Sequence, residues 1–170
     1  VSPKSILVLY DDKYATLPAI EWHLCSFSKY SRNQIVYLPS SIIDGMTGHD
    51  HLFTLDTGQT LNTGPNSVWN FNYFDAVVVH FSLRTTVEGY IPRFIIDRLA
   101  EFVGPKILFI QDEYDYVKMT WNYIRQMGIT DIFTCVPPEG RDYVYPESEV
   151  PNISFEPTLT GYVPEGIFTQ

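Results

Sequence analysis

Short apolar runs alternate with amphipathic stretches along most of this sequence, and that alternation restricts its fold more than any other feature. Residues 5–10 form the first apolar run. Apolar side chains then recur at helical spacings of three and four residues from about Tyr14 to Tyr30, and residues 34–38 form a second apolar run. A strand, a helix and a strand in succession form a βαβ unit, whose strands pair in parallel through a right-handed crossover.

The same alternation returns in the second half of the chain. Strand-like runs cover residues 75–81, 106–110, 131–136 and 153–156, and helical stripes cover 91–102 and 117–128. The sequence therefore predicts an α/β fold. We expect one three-layer Rossmann-like domain over residues 1–170, with a doubly wound, mostly parallel sheet of five or six strands.

Residues 40–73 interrupt this pattern. The segment contains four glycines and one proline, is rich in Asn and Thr, and shows no helical stripe. We interpret it as an irregular excursion with a hairpin near residues 55–61. A segment of this length inside a compact domain is usually functional or mobile.

The charge balance excludes some classes of partner. The chain has 20 acidic and 11 basic residues, for a net charge of −9, and its basic residues do not cluster. A nucleic-acid surface needs a positive patch, so nucleic acid is not expected as a partner. No apolar run approaches the roughly 18 residues of a membrane span. Two isolated thiols, Cys25 and Cys135, fit a reducing cytoplasm better than a disulfide framework.

The run at 107–110 ends abruptly in Gln111, Asp112 and Glu113. A continuous apolar run of this length is typical of a central strand buried on both faces. Side chains after such a strand point into the crevice where open α/β sheets bind ligands. We therefore predict that Asp112 and Glu113 are catalytic, as a general base or as groups that stabilise developing positive charge.

Polar and aromatic residues at the ends of the other strands are expected to complete a substrate pocket. The predicted substrate-binding residues are Asp11, Asp12, Tyr14, His80, Ser82, Gln111 and Tyr114. Each position also has a structural interpretation, since acids at strand ends cap the following helix and a buried histidine can simply be hydrogen-bonded. No glycine-rich phosphate loop follows the first strand, which argues against a dinucleotide cofactor in this domain.

Two strings carry a resemblance to a known family. They are Gln-Asp-Glu-Tyr at 111–114 and Thr-Gly-Tyr-Val-Pro-Glu at 160–165. Together with the strand patterns at 74–82 and 132–138, they resemble the amino-terminal half of bacterial GT-B glycosyltransferase-like proteins. The resemblance implies that Asp112 lies close to the reacting sugar and that Gln111 stands where some relatives have a histidine.

The resemblance also implies a division of labour. The amino-terminal domain would receive a carbohydrate or other acceptor, and a second, carboxyl-terminal domain would hold the nucleotide-sugar donor. That donor domain is expected to be missing from these 170 residues, so this domain would carry no cofactor and would be inactive alone.

Two alternatives remain open from the residues themselves. Asp11, Asp12, Asp112 and Glu113 could surround Mg²⁺ in a metal-dependent hydrolase. The chain could also be a non-catalytic α/β interaction module that uses residues 40–73 as its contact surface.

Overall fold

The computed structural model describes residues 2–41, 51–54, 60–63 and 70–159. Their eight strands are β1 (Ser5–Tyr10), β2 (Gln34–Pro39), β3 (His51–Thr54), β4 (Thr60–Thr63), β5 (Ala76–Val79), β6 (Lys106–Phe109), β7 (Asp131–Thr134) and β8 (Ser154–Pro157). Their four helices are α1 (Pro18–Tyr30), α2 (Arg93–Glu101), α3 (Val117–Met127) and α4 (Pro138–Val144), and short 3-10 turns lie at Asp12–Tyr14 and Phe71–Tyr73.

Six of the strands form one sheet in the order β2-β1-β5-β6-β7-β8. Every pairing in this sheet is parallel. The predicted α/β class with a parallel sheet of five or six strands is confirmed. Strand β6 lies between β5 and β7, as its apolar run predicts for an interior strand.

Helices pack on both faces of the sheet. On one face, Ile20 and Leu24 of α1 pack with Val8 and Val78. On the other face, helices α2 and α3 pack against β1, β5 and β6, as part of a larger cluster that includes Leu108. The fold is therefore three-layered and doubly wound, as predicted.

The first helix begins later than its apolar stripe predicts. The stripe suggests a start near Tyr14, but α1 begins at Pro18, with Leu17 as its N-cap and a separate 3-10 turn before it. Proline suits the first position of a helix because its missing N–H would have no partner there.

The excursion at 40–73 falls largely outside the described residues. Within it, β3 and β4 pair antiparallel on either side of residues 55–59, so a hairpin is present where one was predicted. Most of the segment that we predict as a contact surface lies outside the described residues, and that role stays a prediction. None of the helices in the described ranges has the length and hydrophobicity needed to span a bilayer.

The side chain of Lys106 contacts the C-terminal ends of two helices. Its side chain is 8% exposed, and Nζ donates to the carbonyl oxygen of Phe102, the C-cap of α2, at 2.7 Å. Gly128, the C-cap of α3, has φ of +65° and lies against the same ammonium group. Burial lowers the pKa of Lys106. A cation at two helix C-termini is favourable because the backbone dipoles leave partial negative charge there.

We expect Gly128→Ala to destabilise the protein more than Gly89→Ala does. Both glycines have φ near +65° to +70°, so either alanine would incur roughly 1–2 kcal/mol of backbone strain. Only at Gly128 would the new Cβ meet a neighbour, Lys106 Nζ at 3.2 Å, whereas nothing lies within 4 Å at Gly89. Urea unfolding should show an additional loss of about 1 kcal/mol for Gly128→Ala. Equal losses would mean that Lys106 moves aside freely.

Candidate functional site

A crevice opens at the carboxyl end of the sheet, where the strand order reverses. From β1 the chain crosses to β2 on one side, whereas from β5 it crosses to β6 on the other. The loops after β1 and β5 therefore diverge, and such a switch point is where open α/β sheets bind ligands. The crevice has a volume of about 620 Å³ and is lined by residues that follow β1, β5 and β6.

The lining combines aromatic surface with hydrogen-bonding groups. Its aromatic residues are Tyr14, Phe81, Phe109 and Tyr116. Its polar residues are Ser82, Arg84, Thr85, Thr86, Gln111, Asp112 and Asp115. A mainly apolar wall with a few placed polar groups is the usual composition of a small-molecule site.

Two residues of the loop after β6 adopt the left-handed backbone conformation. Asp112 has φ of +56° and Tyr116 has φ of +49°. Aspartate tolerates this conformation, but it is uncommon for a residue as large as tyrosine. Both side chains are exposed and both line the crevice. Backbone strain of this kind often occurs where a loop presents side chains to a ligand.

Tyr14 stands at the mouth of the crevice between two cations. Lys13 Nζ lies 5.3 Å from the centre of its ring, and Arg84 Cζ lies 6.0 Å from it. Contacts of this kind hold the ring through the attraction of a cation for its π face. Tyr14 is 37% exposed, so its ring remains available to a ligand.

The carboxylates that follow β1 link neighbouring segments through hydrogen bonds. Asp11 is buried and accepts hydrogen bonds from the Tyr90 hydroxyl, the Lys13 backbone N–H at 2.9 Å and Ser40 Oγ at 3.3 Å. Burial, together with the adjacent Asp11 carboxylate, raises the pKa of Tyr90 to about 12. Asp12 accepts from the Ser41 backbone N–H at 3.1 Å and from its hydroxyl. Both acids hold the loops around the crevice rather than line it.

His80 is fully buried in a chain of hydrogen bonds beneath the crevice. The Asp11 backbone N–H donates to Ser82 Oγ at 2.9 Å, and Ser82 Oγ lies 2.9 Å from His80 Nδ1. The Ser82 backbone N–H also donates to Nδ1, at 3.1 Å. On the other side of the ring, His80 Nε2 lies 2.9 Å from Nδ1 of His23.

These contacts fix the tautomers of both imidazoles. Nδ1 of His80 accepts, so its proton is on Nε2 and is donated to Nδ1 of His23. The unprotonated nitrogen of each ring is Nδ1, and it accepts a hydrogen bond. Protonation of either ring would therefore break a hydrogen bond. Burial, reinforced by the neighbouring His23, lowers the pKa of His80 to about 2, and burial also lowers the pKa of His23. The His80 side chain is therefore uncharged at pH 7 and has a structural role.

Glu113 lies in a separate buried network between the loop after β6, the end of β7 and α4. It is 4% exposed and accepts from the Cys135 backbone N–H at 2.7 Å and from the hydroxyls of Thr134 and Tyr145. Burial, with the Glu113 carboxylate beside it, raises the pKa of Tyr145. Both oxygens of the Glu113 carboxylate accept hydrogen bonds, and Glu113 does not line the crevice.

The predicted site residues thus separate into three groups. Tyr14, Ser82, Gln111 and Asp112 line the crevice. Asp11, Asp12, His80 and Glu113 lie in hydrogen-bond networks that support it. Tyr114 is 78% exposed and is absent from the crevice lining.

The four acids of the metal-hydrolase alternative are not brought together. Glu113 faces Tyr145 and Thr134, whereas Asp11 faces Tyr90. Among the residues that the structure describes, no group of three or more His, Cys, Asp or Glu side chains could hold a metal ion. The hydrolase alternative gains no support from this arrangement.

Several residues of the site were not predicted from the sequence. Arg84 and Asp115 line the crevice, and His23 and Tyr90 form part of its supporting networks. Arg84 and Asp115 lie in loops that directly follow predicted strands, so strand-end position could have identified them. Tyr90 is 79 positions from Asp11 and His23 is 57 from His80, and no sequence spacing signals such contacts.

Comparisons with known proteins identify no family for this chain. No family model matches it, and neither does any curated protein. A solved structure that it matches is an AraC family transcriptional regulator from Pseudomonas putida, with 14% sequence identity, coverage of 92% of this chain and 77% of that chain, and a TM-score of 0.36. These values are too low to support an argument about fold or function.

The resemblance to GT-B glycosyltransferases is corrected by this result. No family model and no curated protein matches the chain, so nothing places it among the glycosyltransferases, and that prediction is wrong. Local structure offers a reason for the Gln-Asp-Glu-Tyr string, because Glu113 is required to satisfy buried donors and Tyr114 is an exposed loop residue. The second string, at 160–165, lies outside the described residues. The missing donor domain, expected from the same resemblance, stays a prediction.

Proposed function

We propose that this domain binds a small polyhydroxylated ligand of the carbohydrate class in the crevice at its switch point. The observation that carries the proposal is the composition of that crevice. Aromatic rings and planar hydrogen-bonding groups line the same cavity of about 620 Å³. A sugar offers both an apolar C–H face, which packs on aromatic rings, and a rim of hydroxyls, which donate to carboxylates and amides.

The roles of individual residues follow from their position. Tyr14 and Tyr116 lie at exposed edges of the crevice and would pack on the faces of the ligand. Asp112, Asp115 and Gln111 come from one loop and would accept hydrogen bonds from its hydroxyls. The networks of Asp11 and His80 would keep the crevice formed before the ligand arrives, which reduces the entropic cost of binding.

The proposal is tested by titrating the protein with glucose, galactose and N-acetylglucosamine. We expect saturable binding of at least one sugar, detected by saturation-transfer NMR and quantified by calorimetry. Asp112→Asn and Tyr116→Ala should each weaken that binding by about tenfold, because a hydrogen bond to a charged group or a stacked ring contributes more than about 1 kcal/mol.

Two matched variants on α4 serve as controls. Asp142→Asn and Tyr143→Ala make the same chemical changes at exposed positions that do not line the crevice. They should leave affinity unchanged. Failure of all three sugars to bind, or equal losses in the control variants, would contradict the proposal.

A further inference from the structure

The face of the sheet that carries α1 is covered by the described helices over only part of its width. Helix α1 packs on Ile35, Val8 and Val78, which belong to β2, β1 and β5 on one side of the sheet. The strand register continues this face outward through β6, β7 and β8. We call this outer region the open half-face, and it consists of Ile107, Phe109, Asp131, Phe133, Ser154 and Glu156.

Burial differs sharply between the two faces of the same strands. Leu108 and Ile132 point to the opposite face and are 0% exposed, whereas Ile107, Phe109 and Phe133 of the open half-face are only half-buried. Parallel sheets are normally covered on both faces, because their strands are apolar on both sides. As far as the described residues go, the open half-face is therefore a surface that a further layer would complete.

Helix α1 forms one wall of this surface. The rings of His23 and Phe27 lie 5.1 Å and 5.4 Å from that of Phe109. Phe109 in turn stacks on Phe133, with ring centres 4.4 Å apart. The rings of Phe109 and Phe133 therefore form an aromatic strip beside α1. A second helix packed alongside α1, at the usual spacing of about 8–10 Å, would cover that strip.

The charges on the open half-face specify the partner. Asp131 and Glu156 flank its apolar centre, and it contains no basic residue. In a symmetric dimer through this face, the same carboxylates would approach one another, since a two-fold contact presents identical surfaces. A helix with basic residues beside its apolar stripe would be attracted instead.

We propose that the open half-face docks a basic amphipathic helix of another protein, with its apolar stripe on Phe109 and Phe133 and its basic residues toward Asp131 and Glu156. The proposal rests on residues other than those assigned to the ligand, except for Phe109, which also borders the crevice. Docking and sugar binding can therefore fail independently.

The test uses two synthetic helical peptides of about 16 residues, which differ only in whether Lys or Glu flanks a leucine stripe. Fluorescence anisotropy should show saturable binding of the Lys peptide and at least tenfold weaker binding of the Glu peptide. Chemical-shift changes in a ¹⁵N spectrum should concentrate on the amides of β6, β7 and β8.

Substitutions then locate the site. Glu156→Lys reverses a charge at an exposed position on the edge strand, and it should weaken binding of the Lys peptide and strengthen binding of the Glu peptide. Asp142→Lys, an equivalent charge reversal on α4, should change the binding of neither peptide. Phe133→Ala should weaken the Lys peptide, with circular dichroism confirming the fold. Binding of neither peptide, or equal binding of both in all variants, would overturn the proposal. Self-association of the protein that Phe133→Ala abolishes would overturn it in favour of a second copy.

Discussion

Lowering the pH from about 7.5 to 4.5 should destabilise this protein by about 2–3 kcal/mol through His80 alone. The folded-state pKa of His80 is about 2, against about 6.5 for an unfolded histidine. Between those values the unfolded chain binds a proton that the folded chain does not. Stability is therefore fully present above pH 6.5 and is lost as the pH falls, by about 1.4 kcal/mol per unit. His23, whose pKa is also lowered, adds a loss in the same direction.

The measurement is a series of urea unfolding curves across this pH range, compared with His80→Asn. The asparagine carbonyl can still accept from Ser82, but the side chain does not titrate and does not reach His23. We expect the variant to be less stable at neutral pH and to lose about 2–3 kcal/mol less on acidification. A variant with an unchanged pH dependence would show that His80 is not held neutral by its surroundings.

Most strands of the main sheet could be predicted because each is marked by a short run of apolar residues in the sequence. Strand β6 is recognisable from four consecutive apolar residues between Pro105 and Gln111, and its interior position follows from burial on both faces. The carboxyl-end crevice follows in turn, since parallel strands end at one edge. Asp112 was placed in the crevice by this reasoning alone.

The networks behind the crevice were not predictable, because they depend on contacts between distant segments. Asp112 has a left-handed backbone and lines the crevice, whereas the next residue, Glu113, accepts hydrogen bonds from the end of β7 and from Tyr145 after α4. The partner that makes this favourable, Tyr145, is 32 positions away on the far side of a strand. Two neighbouring acids that look equivalent in the sequence therefore have opposite environments.

Removing the Glu113 carboxylate should be among the most destabilising single changes in the chain. Glu113→Ala would leave the Cys135 N–H and two hydroxyls without their acceptor in a buried space. Each buried donor left unsatisfied costs about 1–3 kcal/mol, so we expect a loss of roughly 3–5 kcal/mol in the free energy of unfolding. Glu139→Ala, at an exposed glutamate on α4, should change stability by less than about 0.5 kcal/mol.

A double-mutant cycle with Tyr145→Phe separates this structural role from a catalytic one. The Tyr145 hydroxyl and the Glu113 carboxylate are direct partners, so Glu113→Gln and Tyr145→Phe should be non-additive by more than about 0.5 kcal/mol. Because Glu113 does not line the crevice, Glu113→Gln should also leave sugar affinity unchanged where Asp112→Asn reduces it. If Glu113→Gln instead left stability intact and abolished binding, the carboxylate would belong to the site and not to its support.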